Sequence, residues 1–214
     1  MKREAGDALD HLLVGAPTLE TGIAWLEERT GVRAATGGSH PGLGTWNALA
    51  SLGSRQYLEI IAPDPAQPHV DTFYVPGLRK LRQPAIVTWA ARRDDLASFV
   101  GEMPSGFSCD PPRRGSRVRP DGRLLAWTLA FPRHLDHDNF DGALPFFIEW
   151  ASTDTHPGRS APPGLQMRAF SIRHPEATKV SEALVALGLE CAVRESKAVS
   201  MAVELETPRG RVVL

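Results

Sequence analysis

Tyr57-Leu58-Glu59-Ile60-Ile61 reads as a strand with a carboxylate at its centre. Alternation places Tyr57, Glu59 and Ile61 on one face and Leu58 and Ile60 on the other, so the charge lies among apolar and aromatic neighbours. Burying it is costly unless it is paired, hydrogen-bonded or bound to a metal. Phe146-Phe147-Ile148-Glu149-Trp150 has the same design, with Phe147 and Glu149 sharing a face opposite Phe146, Ile148 and Trp150. Two strands built alike point to a repeated unit.

The elements before Glu59 define that unit. Leu9 to Val14 is a short apolar run carrying Asp10 and His11, and it stops at Ala16-Pro17 as a strand would. Thr18 is placed to cap a helix in which Leu19, Ile23 and Leu26 recur at helical spacing, and Gly31 sits where a C-terminal glycine belongs. Val32 to Ala35 reads as a strand, and the glycine-rich stretch from Gly37 to Gly44 as a loop. Thr45 to Leu52 alternates polar and apolar residues. A turn at Gly53-Ser54 leads into the Glu59 strand, which ends at Pro63-Asp64-Pro65. The order is βαβββ.

The same order returns after a proline-rich connector from Asp64 to Gln83, in which Leu78 to Leu81 reads as a short helix. Ala85 to Ala90 is a strand, Asp94 to Met103 a helix with Leu96, Phe99 and Val100 on one face, and Gly106 to Asp110 a strand. A basic, proline-rich loop containing Arg113, Arg114, Arg117 and Arg119 precedes a strand from Leu124 to Phe131. A polar excursion from Pro132 to Ala143 then leads to the Glu149 strand. A third round follows the linker from Thr155 to Gly164: a strand from Leu165 to Arg173, a helix from Glu176 to Leu187 closed by Gly188, and strands at Glu190 to Arg194, Val199 to Glu206 and Arg211 to Leu214. Internal repetition is the strongest organisational signal in the chain. It divides the chain into modules at 7–63, 84–152 and 164–214, the last one partial.

Composition narrows the function. A chain of 214 residues with 42% hydrophobic content can bury a sizeable core. Its 24 Lys and Arg against 25 Asp and Glu leave a net charge of -1, which offers no footprint for nucleic acid or an anionic membrane. The expected partner is a small molecule. Two cysteines, Cys109 and Cys191, lack the spacing of a disulfide scaffold or a thiolate zinc site. No apolar leader or membrane-length stretch is visible, so a cytoplasmic location is expected. Dinucleotide, phosphate-loop, zinc-protease and serine-hydrolase motifs are all missing.

Aligning the rounds by element order brings His11 of the first strand together with Glu59 and Glu149, and puts Thr88 in the fourth place. One imidazole and two carboxylates suit a divalent ion such as Zn, Mn, Fe, Ni or Co. The bland account gives the two glutamates arginine partners such as Arg55 or Arg92, or an open solvated cleft. His40 begins an HPG tripeptide that recurs at His156. Either both are plain turns, or His40 reaches over the pocket mouth as a substrate contact or extra base, with Asn47 on the adjoining strand as a hydrogen-bond donor. Tyr57 and Phe147, on the carboxylate faces, would line a pocket for an apolar or aromatic group. His134, Asp136, His137, Asp138 and Asp141 lack the glycine and terminal glutamate of a calcium loop and read as a solvated lid. The basic run reads as a solvated hairpin loop, with an anionic substrate tail as its alternative partner.

The βαβββ repeat, the opening LDHLLVGAPTLE, the stretch HPGLGTWNALASLGSRQYLEIIAPDP and the later LPFFIEWAS resemble the vicinal oxygen chelate superfamily, and within it the glyoxalase-like domain proteins. The resemblance extends to Ser152. It implies an α+β fold in which repeated βαβββ modules form a U-shaped or barrel-like mixed sheet with helices packed outside. Metal ligands in that superfamily come from the first and fourth strands of each module, which are the positions of His11, Glu59, Thr88 and Glu149 here. The implied function is a divalent-metal-dependent lyase, isomerase or oxygenase acting on a small oxygenated substrate, with a metal-free ligand-binding or resistance protein as the alternative. His11 and Glu59 would hold the metal, Glu149 would be third ligand or acid/base, and His40 a further acid/base. Asn47, Tyr57, Thr88 and Phe147 would meet the substrate. Thr88 departs from the four-ligand pattern of glyoxalase I and from the two-histidine pattern of extradiol dioxygenases. Relatives often pair as dimers, so the resemblance also admits a homodimer.

Overall fold

The computed structural model describes residues 3–4, 8–72, 75, 77–118 and 122–214. In chain order its elements are β1 (Arg3–Glu4), β2 (Leu9–Gly15), α1 (Leu19–Thr30), β3 (Ala35–His40), β4 (Thr45–Gly53), β5 (Gln56–Pro63), β6 (Ala85–Arg92), α2 (Leu96–Gly101), β7 (Phe107–Cys109), β8 (Arg113–Val118), β9 (Leu124–Ala130), β10 (Pro132–His134), β11 (Phe146–Trp150), β12 (Gln166–His174), α3 (Ala177–Ala186), β13 (Leu189–Glu190), β14 (Ala192–Glu195), β15 (Ser200–Thr207) and β16 (Gly210–Val213). Short 3-10 turns occupy Leu78–Lys80, Thr153–Thr155 and Pro157–Arg159. The chain divides into two compact units. Unit I comprises residues 11–87, 156–168 and 204–214, and unit II comprises 1–10, 88–155 and 169–203.

In unit I the strand order is β3-β4-β5-β2. β5 runs antiparallel to β4 and parallel to β2, with His11 opposite Tyr57 and Leu13 opposite Glu59. A parallel pair needs a crossover, and α1 is part of it. The Thr18 hydroxyl accepts from the Thr21 N–H at 3.1 Å, and Gly31 closes the helix at φ +78°. Leu19, Ile23 and Leu26 bury the apolar stripe, each burial contributing about 1.5–3 kcal/mol. Gly22 sets how closely the helix approaches the sheet. A Cβ there would stand 2.3 Å from Ile60 Cγ2. Ile60 therefore faces the helix, and Glu59, its neighbour along the strand, faces away from it.

In unit II the order is β6-β11-β9-β8, again with a parallel first pair and antiparallel partners beyond it. The fold is thus a mixed α+β arrangement of repeated βαβββ modules. α2 packs Phe99 against Phe147 with ring centroids 4.7 Å apart, and the Arg93 guanidinium lies 4.0 Å over the Phe99 ring. Trp89 is fully buried and donates from Nε1 to the Ala143 carbonyl at 2.9 Å. In the third round β12 pairs in parallel with β14, α3 connects them, and β15 pairs antiparallel with β16.

Three segments differ from the sequence expectation for one reason: strand pairing overrides a weak local preference. The glycine-rich stretch expected as a loop is strand up to His40. It pairs with β4 through a register shift between Thr36 and Gly38, and the strand expected at Val32 to Ala35 begins only at Ala35. The basic run expected as a hairpin loop is β8, laid along β9 with Gly115 opposite Trp127, and Arg119 lies outside the described residues. The polar excursion includes β10, which pairs with β7. No helix among the described residues is long and apolar enough to cross a membrane.

Candidate functional site

Parallel pairing in register places side chains of equal phase on one face. His11 and Tyr57 stack at 4.5 Å with an 18° interplanar angle as a result, and Glu59 lies one step along the same face. Both residues of the polar pair are buried, His11 to 3% exposure and Glu59 to 6%. The Glu59 carboxylate is shared. Its Oε2 lies 3.4 Å from His11 Nε2, while Oε1 accepts from Asn47 Nδ2 at 2.7 Å and lies 3.9 Å from His40 Nε2. Asn47 reaches it from β4, and His40 from the end of β3.

The hydrogen bonds assign the protons. Asn47 Nδ2 has no lone pair to offer, so it donates both to Glu59 and to His40 Nε2, the latter at 3.1 Å. His40 Nε2 is then an acceptor, and its Nδ1 carries the hydrogen that meets the Thr45 hydroxyl at 2.9 Å. With both amide hydrogens used, Asn47 Oδ1 is left buried with no hydrogen-bond partner. Such an acceptor costs about 1–3 kcal/mol. His40 is the most open member of the group, its side chain 12% exposed against 8% for Glu59 and 3% for His11.

The structure brings His11, His40, Asn47, Tyr57 and Glu59 together in unit I. Thr88, Phe147 and Glu149 belong to unit II. There Thr88 is buried on β6, Phe147 packs under α2, and Glu149 Oε2 accepts from the Leu96 N–H at 3.3 Å at the start of that helix. The two glutamates therefore differ in phase: Glu59 points away from the helix of its module, and Glu149 points toward its own.

That difference bears on the divalent ion implied by the resemblance. Ligand bonds of about 2.0–2.2 Å put imidazole nitrogen and carboxylate oxygen roughly 3 Å apart around a shared ion, so His11 and Glu59 fit as two donors. Among the described residues no group of three or more His, Cys, Asp or Glu side chains is arranged to hold a metal ion. His11 and Glu59 lie together in unit I, and Glu149 belongs to unit II.

Sequence reasoning passed over several supporting residues. Thr45 holds His40 Nδ1. His156 is buried edge-on to Tyr57 at 5.6 Å, its Nδ1 accepting from the Gly158 N–H. Its segment docks on β4 through Ser51, whose hydroxyl donates to the Gly158 carbonyl at 2.6 Å. The repeated HPG tripeptide was the available signal, and the two copies serve different ends. Ser39, Asp64 and Gln67 form a further polar cluster beneath the His40 loop.

A family model described as a glyoxalase-like domain matches residues 9–188. No curated protein matches the chain. Among solved structures, a hypothetical protein from Staphylococcus aureus is similar with a TM-score of 0.69 at 12% identity, over 90% of this chain and 87% of that one. Methylmalonyl-CoA epimerase from Mycobacterium tuberculosis is similar with a TM-score of 0.43 at 19% identity, covering 67% and 86% of the two chains. A variant of the Streptomyces coelicolor methylmalonyl-CoA epimerase in complex with 2-nitronate-propionyl-CoA gives 0.47 at 15% identity, covering 68% and 98%. At these identities the likeness is one of fold.

Proposed function

The chain belongs to the glyoxalase-like domain family of the vicinal oxygen chelate superfamily, and from that premise we propose that it is an enzyme of the isomerase or lyase type that moves a proton on a small oxygenated substrate. His40 is the general base. The observation that carries this reading is the buried Glu59 carboxylate, held between His11, Asn47 and the more exposed His40. In its neutral form His40 has a lone pair on Nε2. Taking a proton from a carbon next to a carbonyl leaves an enolate on the substrate and an imidazolium on His40. Glu59 Oε1, 3.9 Å from that nitrogen, stabilises the new cation by its negative charge. Giving up the 3.1 Å bond from Asn47 frees the amide to turn toward the substrate. Returning the proton to the same carbon with inversion, or expelling a neighbouring group, yields the two reaction types. A positioned general base accounts for about 10²–10⁴ in rate.

The test is deuterium exchange at the α-carbon of a panel of small hydroxy-carbonyl and 2-oxo compounds, followed by proton NMR in heavy water. Wild type is expected to exchange at least one compound, with Glu59→Gln and His40→Ala slower by about 10²-fold or more. Exchange that is insensitive to Glu59→Gln would sink the proposal. Compounds that bind to both proteins and never exchange would favour a ligand-binding role instead. Elemental analysis of protein purified without chelators adds a second arm: a stoichiometric divalent ion that is lost in His11→Ala and in Glu59→Gln would add a Lewis acid to this reading.

A further inference from the structure

His40 has to be held over Glu59 by something other than the strand that ends on it. Beyond His40 the chain passes through Pro41 and two glycines with positive φ, Gly42 at +75° and Gly44 at +69°. A segment of that composition holds no fixed course by itself. One side chain from outside the loop spans it. Gln67 Nε2 shares its two hydrogens among the His40 carbonyl at 3.1 Å, Ser39 Oγ at 3.0 Å and Asp64 Oδ2 at 2.8 Å, and Gln67 Oε1 accepts from the Gly42 N–H at 2.8 Å. Asp64 completes the clamp: its Oδ2 accepts from the Ser39 hydroxyl at 2.5 Å, its Oδ1 from the Ala66 N–H at 2.9 Å, and its own N–H donates to the Gly44 carbonyl at 2.9 Å. The two turns also meet sterically, since a Cβ on Gly44 would lie 2.6 Å from the Val70 carbonyl oxygen.

We propose that Gln67, anchored on Asp64 and Ser39, is a positioning residue that fixes the backbone of His40 and thereby holds its ring, as the Nδ1–H tautomer, between Thr45 and Asn47 beside Glu59. This inference rests on the reading of His40 as the base. Gln67 touches the residues on both sides of the His40 peptide and the amide two residues on, so its loss frees the segment that carries the ring.

Two readouts test it without any turnover. Long-range proton–nitrogen NMR of the imidazoles reports the tautomer of His40. Carbethoxylation by diethyl pyrocarbonate, mapped to peptides by mass spectrometry, reports how often its nitrogens come free. Wild type is expected to show a single Nδ1–H tautomer and slow modification. Gln67→Ala should average the two tautomers and raise the His40 rate on the order of tenfold, with His11 and His156 unchanged, because the lost hydrogen bonds no longer oppose opening of the segment. Gln67→Glu has the same shape but neither donor, so it should behave like the alanine variant; an isosteric change that left His40 as in wild type would reduce Gln67 to a space-filling residue and overturn the proposal. Gly44→Ala, which pushes the same loop off Val70 with Gln67 intact, should reproduce the change. A wild-type His40 that already averages its tautomers also overturns it. Exchange that fails to depend on Glu59 while Gln67→Ala still releases His40 would refute the proposed reaction and leave the positioning role standing.

Discussion

Asp64 shows how a single carboxylate can be tuned by its neighbours. The Ser39 hydroxyl holds its carboxyl below the ordinary value of 3.8, helped by the Gln67 amide and the Ala66 N–H, while desolvation works the other way. A carboxylate with a depressed folded pKa stabilises the protein above its unfolded value, and the contribution disappears as pH falls through the folded one. Asp64→Asn should therefore cost about 1–2 kcal/mol at pH 7. The difference from wild type should shrink as pH drops below about 4 and vanish at the acid end. Urea titrations of both proteins at pH 7, 4 and 2.5 measure it, and a gap that stays constant with pH would contradict the assignment. The cysteines sit at the opposite pole: burial pushes the Cys191 thiol up to about 11 and raises Cys109 as well, so neither is set up as a nucleophile.

Among the elements, α1 and β5 show a conflict between local and tertiary preference. Gly22 lies inside a helix, where alanine would be favoured by about 1 kcal/mol. Its would-be Cβ meets Ile60 Cγ2 at 2.3 Å and Ala16 Cβ at 2.9 Å. Overpacking costs typically 1–3 kcal/mol, and a contact this short belongs at the upper end, so packing wins. Gly22→Ala should lower stability by about 1–2 kcal/mol net. Ile60→Leu in the same background should recover part of that loss, because leucine has no Cγ2 branch at the crowded contact. Thermal denaturation of the single and double variants decides it, and an alanine variant more stable than wild type would show that the helix can shift away. β8 makes a parallel point. Gly115 has no room for a Cβ, which would stand 2.5 Å from Trp127 Nε1, so the glycine belongs to the face of a strand rather than to the bend of a loop.

At the scale of the whole molecule, charge is spread rather than gathered. The net charge is -1, and the basic run lies on β8, at the end of the strand order β6-β11-β9-β8. Charged residues on a terminal strand oppose edge-to-edge pairing, which gives Arg113, Arg114 and Arg117 a structural role on β8. Retention on heparin and binding to duplex DNA should both be negligible at 0.15 M salt, where phosphate contacts are already weakened. A DNA affinity that fell steeply with added salt would reopen the question of that strand.

The sequence by itself determined the βαβββ rhythm, the cap and closing glycine of α1, and the shared face of Tyr57 and Glu59. These follow from local rules: helix signals lie within a few residues of the helix end, and alternation along one strand fixes which of its residues share a face. His40 and Asn47 were legible as neighbours of the site because they flank the same short glycine-containing segment. Three matters were decided only by the tertiary structure. Alternation relates residues within a strand and says nothing about which face the helix will cover, so the opposite phase of Glu149 had to await the packing of Phe147 under α2. The strand character of β3 and β8 depends on partners that supply the hydrogen bonds their own sequences do not favour. The hold of Gln67 on His40 joins residues 27 positions apart, and a distance of that kind is set by the folded backbone alone.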